Sequence, residues 1–348
     1  MTVPGPWPSF SLLFFASEEA DFHHGKFDLF RATSEFADRH DFEAVWIPER
    51  HFHPFGGIFP NPSLPGVLLA QITSRIRIRA GSVVMPLHSP IRVAEEWAVV
   101  DNLSGGRVDI AFAIGWNPND FVIAPHAYAE RKQRTFEGMD LVRRLWEREA
   151  VEFENGAGEK KAVKIYPLPR QQRLRIWLTC SGGAERFVEA GARGVNVLTA
   201  LLFQGVDDLA VKIAAYREAR ARHGHPGPGH VTLMLHTFVA ESDARAREAV
   251  REPFKRYLES SVDLWKVGEA RLDTMSARKR ADLLEFAFER YYRKTGLMGS
   301  VEACAKMVRA VSGAGVDEIA CLIDFGVDAD RTLASLEHLD RLRRGVVA

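Results

Sequence analysis

Eight short apolar runs, each followed by a longer amphipathic segment, recur along this 348-residue chain, and that alternation leaves few folds open. The runs lie at 11–15, 44–48, 76–85, 107–113, 174–179, 194–198, 231–239 and 318–323. Helical periodicity follows them at 27–41, 63–73, 90–103, 129–148, 184–190, 205–222, 243–260 and 300–313, with a last segment near 329–344. Strands joined through helices pair in parallel, and eight such units close into a (β/α)8 or TIM barrel. Buried parallel strands are apolar on both faces, as Val45-Trp46-Ile47 and Ile110-Ala111-Phe112 are. The structural rival is an open doubly wound sheet with a second domain. It is disfavoured because no Pro/Gly/Ser-rich linker divides the chain and no G-x-G-x-x-G opens a helix after the first run. Residues 1–348 therefore read as one barrel domain.

Two stretches break the alternation. Residues 151–173 are polar, with Gly156, Gly158, Pro167 and Pro169, and read as a loop or hairpin before the fifth strand. Residues 261–297 form a charge-rich insertion before the eighth strand, either a functional lid or surface decoration. Lys+Arg and Asp+Glu both number 46, so no global field draws the chain to nucleic acid or to an anionic membrane. Three scattered cysteines predict no disulfide framework and a reducing compartment. The apolar run 10–16 lacks a basic leader and no stretch reaches membrane-spanning length, so a cytoplasmic location is expected.

In a barrel, chemistry sits just past the C-terminal ends of the strands. Those positions hold Glu49-Arg50-His51-Phe52, then Gly81-Ser82 running to Pro86-Leu87-His88, then Gly115-Trp116-Asn117, then Cys180-Ser181-Gly182-Gly183. A small glycine turn that opens a helix presents backbone N–H groups and the positive helix end to an anion such as phosphate. Ser181, Gly182 and Gly183 fit that reading; the plain alternative is a tight turn with Ser181 as N-cap. Histidine is the residue type suited to proton transfer near neutral pH, which makes His51 an acid–base candidate, and Arg50 beside it suits an anionic group of a cofactor or substrate. The alternative there is a strand-end salt bridge. His53 makes a His-x-His with His51, but no third ligand sits at suitable spacing nearby, so no metal is expected. Gly81, inside a β-branched run, marks a bulge or the close approach of a ligand. Trp116 lines a pocket or packs in the core. His236, alternating with apolar neighbours, points into the barrel mouth or is a satisfied core histidine. His23-His24 reads as a solvated loop.

These motifs together carry a resemblance. Glu49-Arg50-His51-Phe52, residues 81–90, Ile91-Arg92-Val93-Ala94-Glu95-Glu96 and residues 101–107 resemble the bacterial luciferase-like flavin monooxygenases. Residues 115–121 and 231–239 and Arg251-Glu252-Pro253 narrow it to the branch found in natural-product biosynthesis. The resemblance spans about residues 11–324. It implies a barrel, usually dimeric, that takes reduced FMN (FMNH2) from a separate flavin reductase, with oxygen activated on the cofactor. It implies a bulge in the third strand, often with a non-prolyl cis peptide against the flavin, which maps to Gly81–Ser82. It places the phosphate at Ser181, Gly182 and Gly183 with Arg131 as counter-ion, the flavin ring beside Gly81, Ser82 and Trp116, and proton handling at His51 and Arg50, with His236 facing substrate. It makes 261–297 a mobile lid. Departures are visible: Arg50 stands where luciferases have the first of two adjacent histidines, Ile114 where the branch has a small residue, Asp41 where it has glycine, and the turn 179–183 differs from the branch's own. The expected activity is oxygenation of a biosynthetic intermediate, free or tethered to a carrier protein. The rivals are a flavin- or deazaflavin-dependent hydride-transfer enzyme of the same superfamily and a non-catalytic flavin-binding barrel.

Overall fold

The structure is a computed structural model that describes residues 6–18, 25–202, 204–262 and 276–346. In chain order its elements are β1 (Ser9–Leu13), α1 (Asp28–Arg39), β2 (Ala44–Ile47), α2 (Ser63–Ile72), β3 (Arg77–Val84), α3 (Pro90–Ser104), β4 (Val108–Ala113), α4 (Arg131–Trp146), β5 (Val151–Glu154), β6 (Lys160–Val163), β7 (Ile176–Thr179), α5 (Ala184–Ala192), β8 (Asn196–Ala200), α6 (Val206–Arg222), β9 (Val231–Ala240), α7 (Asp243–Val262), α8 (Ala277–Arg290), β10 (Leu297–Ser300), α9 (Val301–Gly313), β11 (Glu318–Leu322) and α10 (Ala329–Arg343). The parallel order β9-β11-β1-β2-β3-β4-β7-β8 closes because β8 pairs back onto β9. All eight expected strands are the barrel strands, with ends moved by no more than two residues. Helix limits are equally local: α3 opens on Pro90 and stops where Gly105 takes φ +75°.

Residues 151–173 contain the antiparallel hairpin β5–β6. Short strand β10 was not expected. It pairs in parallel with the outer half of β9, Thr237 to Ala240. Asp243 Oδ1, at the start of α7, accepts the Ser300 N–H at 2.7 Å, so the arm that begins with α7 and ends at β10 returns to the place it left. The expected insertion 261–297 falls within that arm. Residues 263–275 lie outside the described residues, as does His23-His24, and the described remainder is mostly the helix α8. Asp41 has φ +56°, a left-handed conformation that glycine adopts without strain, and its carboxylate bonds Arg75 at 2.6 Å. The three cysteines are buried and unpaired.

The barrel interior is not wholly apolar. Arg79, fully buried on β3, bonds Glu318 at 2.7 and 2.9 Å and Asp109 at 2.8 Å, and its guanidinium lies between the Trp46 and Trp177 rings, 4.9 and 4.7 Å from their centroids. Ser11, Trp46 and His230 also bond Glu318. Burial opposes ionisation of Glu318, yet the Arg79 charge and these hydrogen bonds hold its carboxyl far below the usual range. This ion cluster fills the N-terminal part of the barrel and leaves the C-terminal rim for chemistry.

Candidate active site

Glu49 leaves the end of β2, and its side chain is wholly shielded from solvent. Its Oε1 accepts from His51 Nε2 at 2.8 Å and from His88 Nε2 at 2.6 Å; its Oε2 accepts the Val84 N–H at 2.8 Å. Burial alone would raise this carboxyl, but the His51, His88 and Val84 hydrogen bonds bring it below its ordinary value. The same contacts act in reverse on His88: burial lowers it, and Glu49 overrides burial and raises it. Both imidazoles donate Nε2–H to one oxygen, which leaves each Nδ1 free to take a proton. Sequence spacing hid this arrangement, because His88 comes from the end of the next strand. The expectation that no third ligand lies near His51 is therefore corrected: among the described residues Glu49, His51 and His88 converge with their ligand atoms within 4.8 Å of one another. His53 is elsewhere, its Nδ1 accepting the Phe55 N–H.

Arg50 bonds a different carboxylate. Its Nη1 donates to Asp120 Oδ2 at 3.1 Å, and Asp120 is steadied by Asn117 in the turn after β4. The guanidinium carbon lies 5.5 Å from the centroid of the Trp116 ring. Trp116 is 42% exposed, so it is a rim residue and not core packing.

The third group is the turn after β7. Gly182 has φ +98°, and a Cβ added at Gly182 or Gly183 would meet nothing within 4 Å. Gly183, not Ser181, is the N-cap of α5, and no side chain caps that helix end. Its first N–H groups are thus open to an anion. Lys212 from α6 donates to Gly182 O at 2.5 Å and to Gln204 Oε1 at 2.7 Å, placing an ammonium at the turn that sequence reading missed. The starts of α4 and α5 are joined through Lys132, which pairs with Glu185 and Glu189, and the neighbouring Arg131 stacks on Tyr128 with its Cζ 4.3 Å from the ring centroid. This donor set fits a phosphate. The Gly81–Ser82 peptide is cis, and the β3–β4 register shifts between Gly81 and Val83. Trp46 packs 3.0 Å from where a Gly81 Cβ would lie, so the indole rather than a ligand explains that glycine. Ser82 hydrogen-bonds Thr179, linking the bulge to the strand that leads into the turn.

His236 is buried in a box of Phe254, Tyr257, Tyr291 and Phe325, and its Nε2 has no partner. Burial pushes its pKa down to about 3, so at neutral pH the ring is uncharged and unable to serve as a proton donor in the imidazolium form. It is neither a satisfied core histidine nor an acid. Asp324, past β11, was not anticipated. Its carboxylate accepts the Phe15 N–H at 2.7 and 2.9 Å, and burial raises its pKa to about 7. The unfolded chain then loses this proton near pH 4 and the folded chain near 7, so the group's contribution to stability falls as pH rises through that window. We expect Asp324→Asn to remove that fall, gaining on the order of 2 to 4 kcal/mol over wild type between pH 5 and 8. Parallel urea curves for the two proteins at both pH values would refute it.

A closed parallel barrel with an acid–base cluster and an open anion turn at its C-terminal rim defines a cofactor-dependent barrel enzyme. The family model described as luciferase-like monooxygenase matches residues 9–318, and the chain belongs to that family. It is 27% identical over 325 residues, 88% of this chain and 85% of the relative, to the oxygenase component of flavin-dependent trigonelline monooxygenase from Acinetobacter baylyi. It is 28% identical to 4-hydroxyprotoasukamycin monooxygenase of Streptomyces nodosus subsp. asukaensis, covering 81% of this chain and 76% of that one. The crystal structure of monooxygenase RslO1 from Streptomyces bottropensis shares the fold with a TM-score of 0.81 at 21% identity, over 98% of this chain and 100% of that one. An F420-dependent secondary alcohol dehydrogenase shares it at 0.71 and 18% identity, over 98% and 99%.

Proposed function

We propose that this enzyme is a two-component monooxygenase that uses FMNH2 and O2 on a small natural-product intermediate, free or carrier-protein-bound. The observation that carries the reading is the uncapped start of α5, with the Gly182–Gly183 turn and Lys212, in a chain whose relatives are named flavin-dependent monooxygenases. Arg131, Lys212 and the turn hold the phosphate. Ser82, the Gly81 backbone and Trp116 border the ring. Bound reduced flavin supplies the electrons that activate oxygen. His51, its Nε2–H tied to Glu49, offers Nδ1 to take or return a proton at the reacting oxygen, and His88 lets the shared carboxylate adjust as that charge changes. The aromatic face of α7 over His236 excludes water from the rim. That arm, with 261–297, acts as the lid.

A relative named as an oxygenase component supports a separate reductase. Leu64 on α2 and Val99 and Leu103 on the adjoining α3 are exposed apolar residues that support a homodimer. No described helix is long and apolar enough to cross a membrane, which fits the proposed cytoplasmic location. The test joins binding to kinetics. FMN titration should show Arg131→Met weakened about 10- to 100-fold, the range for one charge-assisted contact. Mixing the FMNH2-loaded enzyme with O2 should give a long-lived absorbing species distinct from oxidised and reduced flavin. Immediate reoxidation without it sinks the oxygenase. Tighter binding of F420 with hydride transfer would establish the dehydrogenase reading that the shared fold of the F420 enzyme favours. Equal binding of both FMN redox states, unaffected by His51→Ala, with no turnover by either protein, would leave the non-catalytic barrel.

A further inference from the structure

Arg50 spends one of its three nitrogens. Nη1 is on Asp120, while Nε and Nη2 are buried and have no hydrogen-bond partner. Covalent geometry makes this pairing informative. In a planar guanidinium the Nε–H and the outer Nη2–H point in parallel along one edge, and that edge matches the two oxygens of a carboxylate. The vacant pair is therefore one intact fork, not two scattered omissions. Buried polar groups are normally satisfied, and an unsatisfied pair on a cation that is only 5% exposed is costly to keep. Asp120 does not need the fork, since Nη1 and Asn117 already hold it. Nor does the cluster around Glu49, whose oxygens are taken by His51, His88 and the Val84 amide. Beside the fork stands the Trp116 indole, its centroid 5.5 Å from the guanidinium carbon, on the rim and more than one-third exposed.

We propose that Arg50 is a carboxylate-recognition residue, its Nε/Nη2 edge binding the carboxylate of a planar or aromatic substrate against the face of Trp116. The proposal rests on the oxygenase reading only in calling the ligand a substrate; the binding itself is independent of flavin. Lysine keeps the charge but lacks the fork, so Arg50→Lys isolates the geometry.

The flavin-free protein is titrated with benzoate and with its neutral isostere benzamide, following tryptophan emission and ligand-observed NMR. Benzoate should bind saturably in the millimolar range, and benzamide about tenfold or more weaker. Arg50→Lys should weaken benzoate about tenfold or more and leave FMN affinity unchanged. Trp116→Phe should still bind benzoate by NMR while losing the emission change. Equal binding of benzoate and benzamide, or no saturable binding of either, overturns the proposal. So does Arg50→Lys that binds benzoate like wild type, or that loses FMN instead, which would assign the fork to the flavin ring. If Arg50→Lys does not fold, the benzoate–benzamide comparison on wild type and Trp116→Phe decides alone. A protein that lacks the long-lived species yet discriminates benzoate from benzamide would retain the fork and lose only the oxygenase reading.

Discussion

Glu49→Gln is expected to lower turnover by about two to four orders of magnitude, the range for loss of a positioned acid–base group. The carboxylate touches neither cofactor nor substrate in the proposed arrangement; it positions two imidazoles that converge on one of its oxygens. An amide has one accepting oxygen: turned towards the two imidazoles it sets its NH2 against the Val84 amide, and flipped it sets its NH2 against both imidazoles. The second effect is electrostatic. His88 is raised because Glu49 outweighs burial, so with the anion gone burial prevails and the His88 pKa should fall below 6.5 by NMR. Burial has no such effect on flavin affinity, which should hold. A variant with near-normal turnover, or with His88 titrating as before, would show that the cluster is structural only.

The largest loss of stability is expected from Arg79→Met. Removing one partner of a buried ion cluster leaves the others charged and unpaired, at a cost of about 3–5 kcal/mol. Methionine roughly keeps the stem volume, so the loss is not a cavity effect. Its pH dependence gives a sharper check. In wild type the Glu318 carboxyl is held low, so its stabilisation is present above the unfolded value near 4.5 and is lost only in strong acid. Without Arg79, burial dominates and raises Glu318, so the variant should weaken as pH climbs past about 5. Adding Glu318→Gln to Arg79→Met should then restore part of the loss at pH 8. Urea unfolding at pH 5 and 8 measures all three proteins; a single-variant loss under about 1 kcal/mol would mean that Glu318 and Asp109 are not left charged and unpaired.

What the sequence made legible follows from the range of the forces involved. Strand and helix limits are local properties. Continuous apolar runs, Pro90 at a helix start and Gly105 past its end are visible in one chain, and they located every barrel strand. The third-strand bulge at Gly81–Ser82 and the glycine turn after β7 were legible for the same reason. Long-range proximity was not. Arg79 shows only as a charge in an apolar run; closing the barrel brings Asp109 and Glu318 to it from 30 and 239 residues away. His88 reaches Glu49 across 39 residues, and Lys212 reaches Gly182 across 30. Asp324 and its Phe15 amide are 309 residues apart. The signals were present as isolated polar residues at strand ends, but only topology says which of them meet. Strand β10 escaped because four residues with a central glycine carry little strand propensity.

The stitch between Asp243 and Ser300 bears on how such a protein diversifies. The two ends of the arm meet at Asp243, which takes the Ser300 N–H on its carboxylate and the Tyr292 hydroxyl on its backbone carbonyl, with β10 laid along β9 as a splint. Material can be lengthened, trimmed or exchanged there at little cost in loop closure, while the eight strands and the rim chemistry keep their register. The arm is nonetheless tied to the rim at its near end, where Phe254, Tyr257 and Tyr291 close over His236, so variation is expected to concentrate beyond those rings.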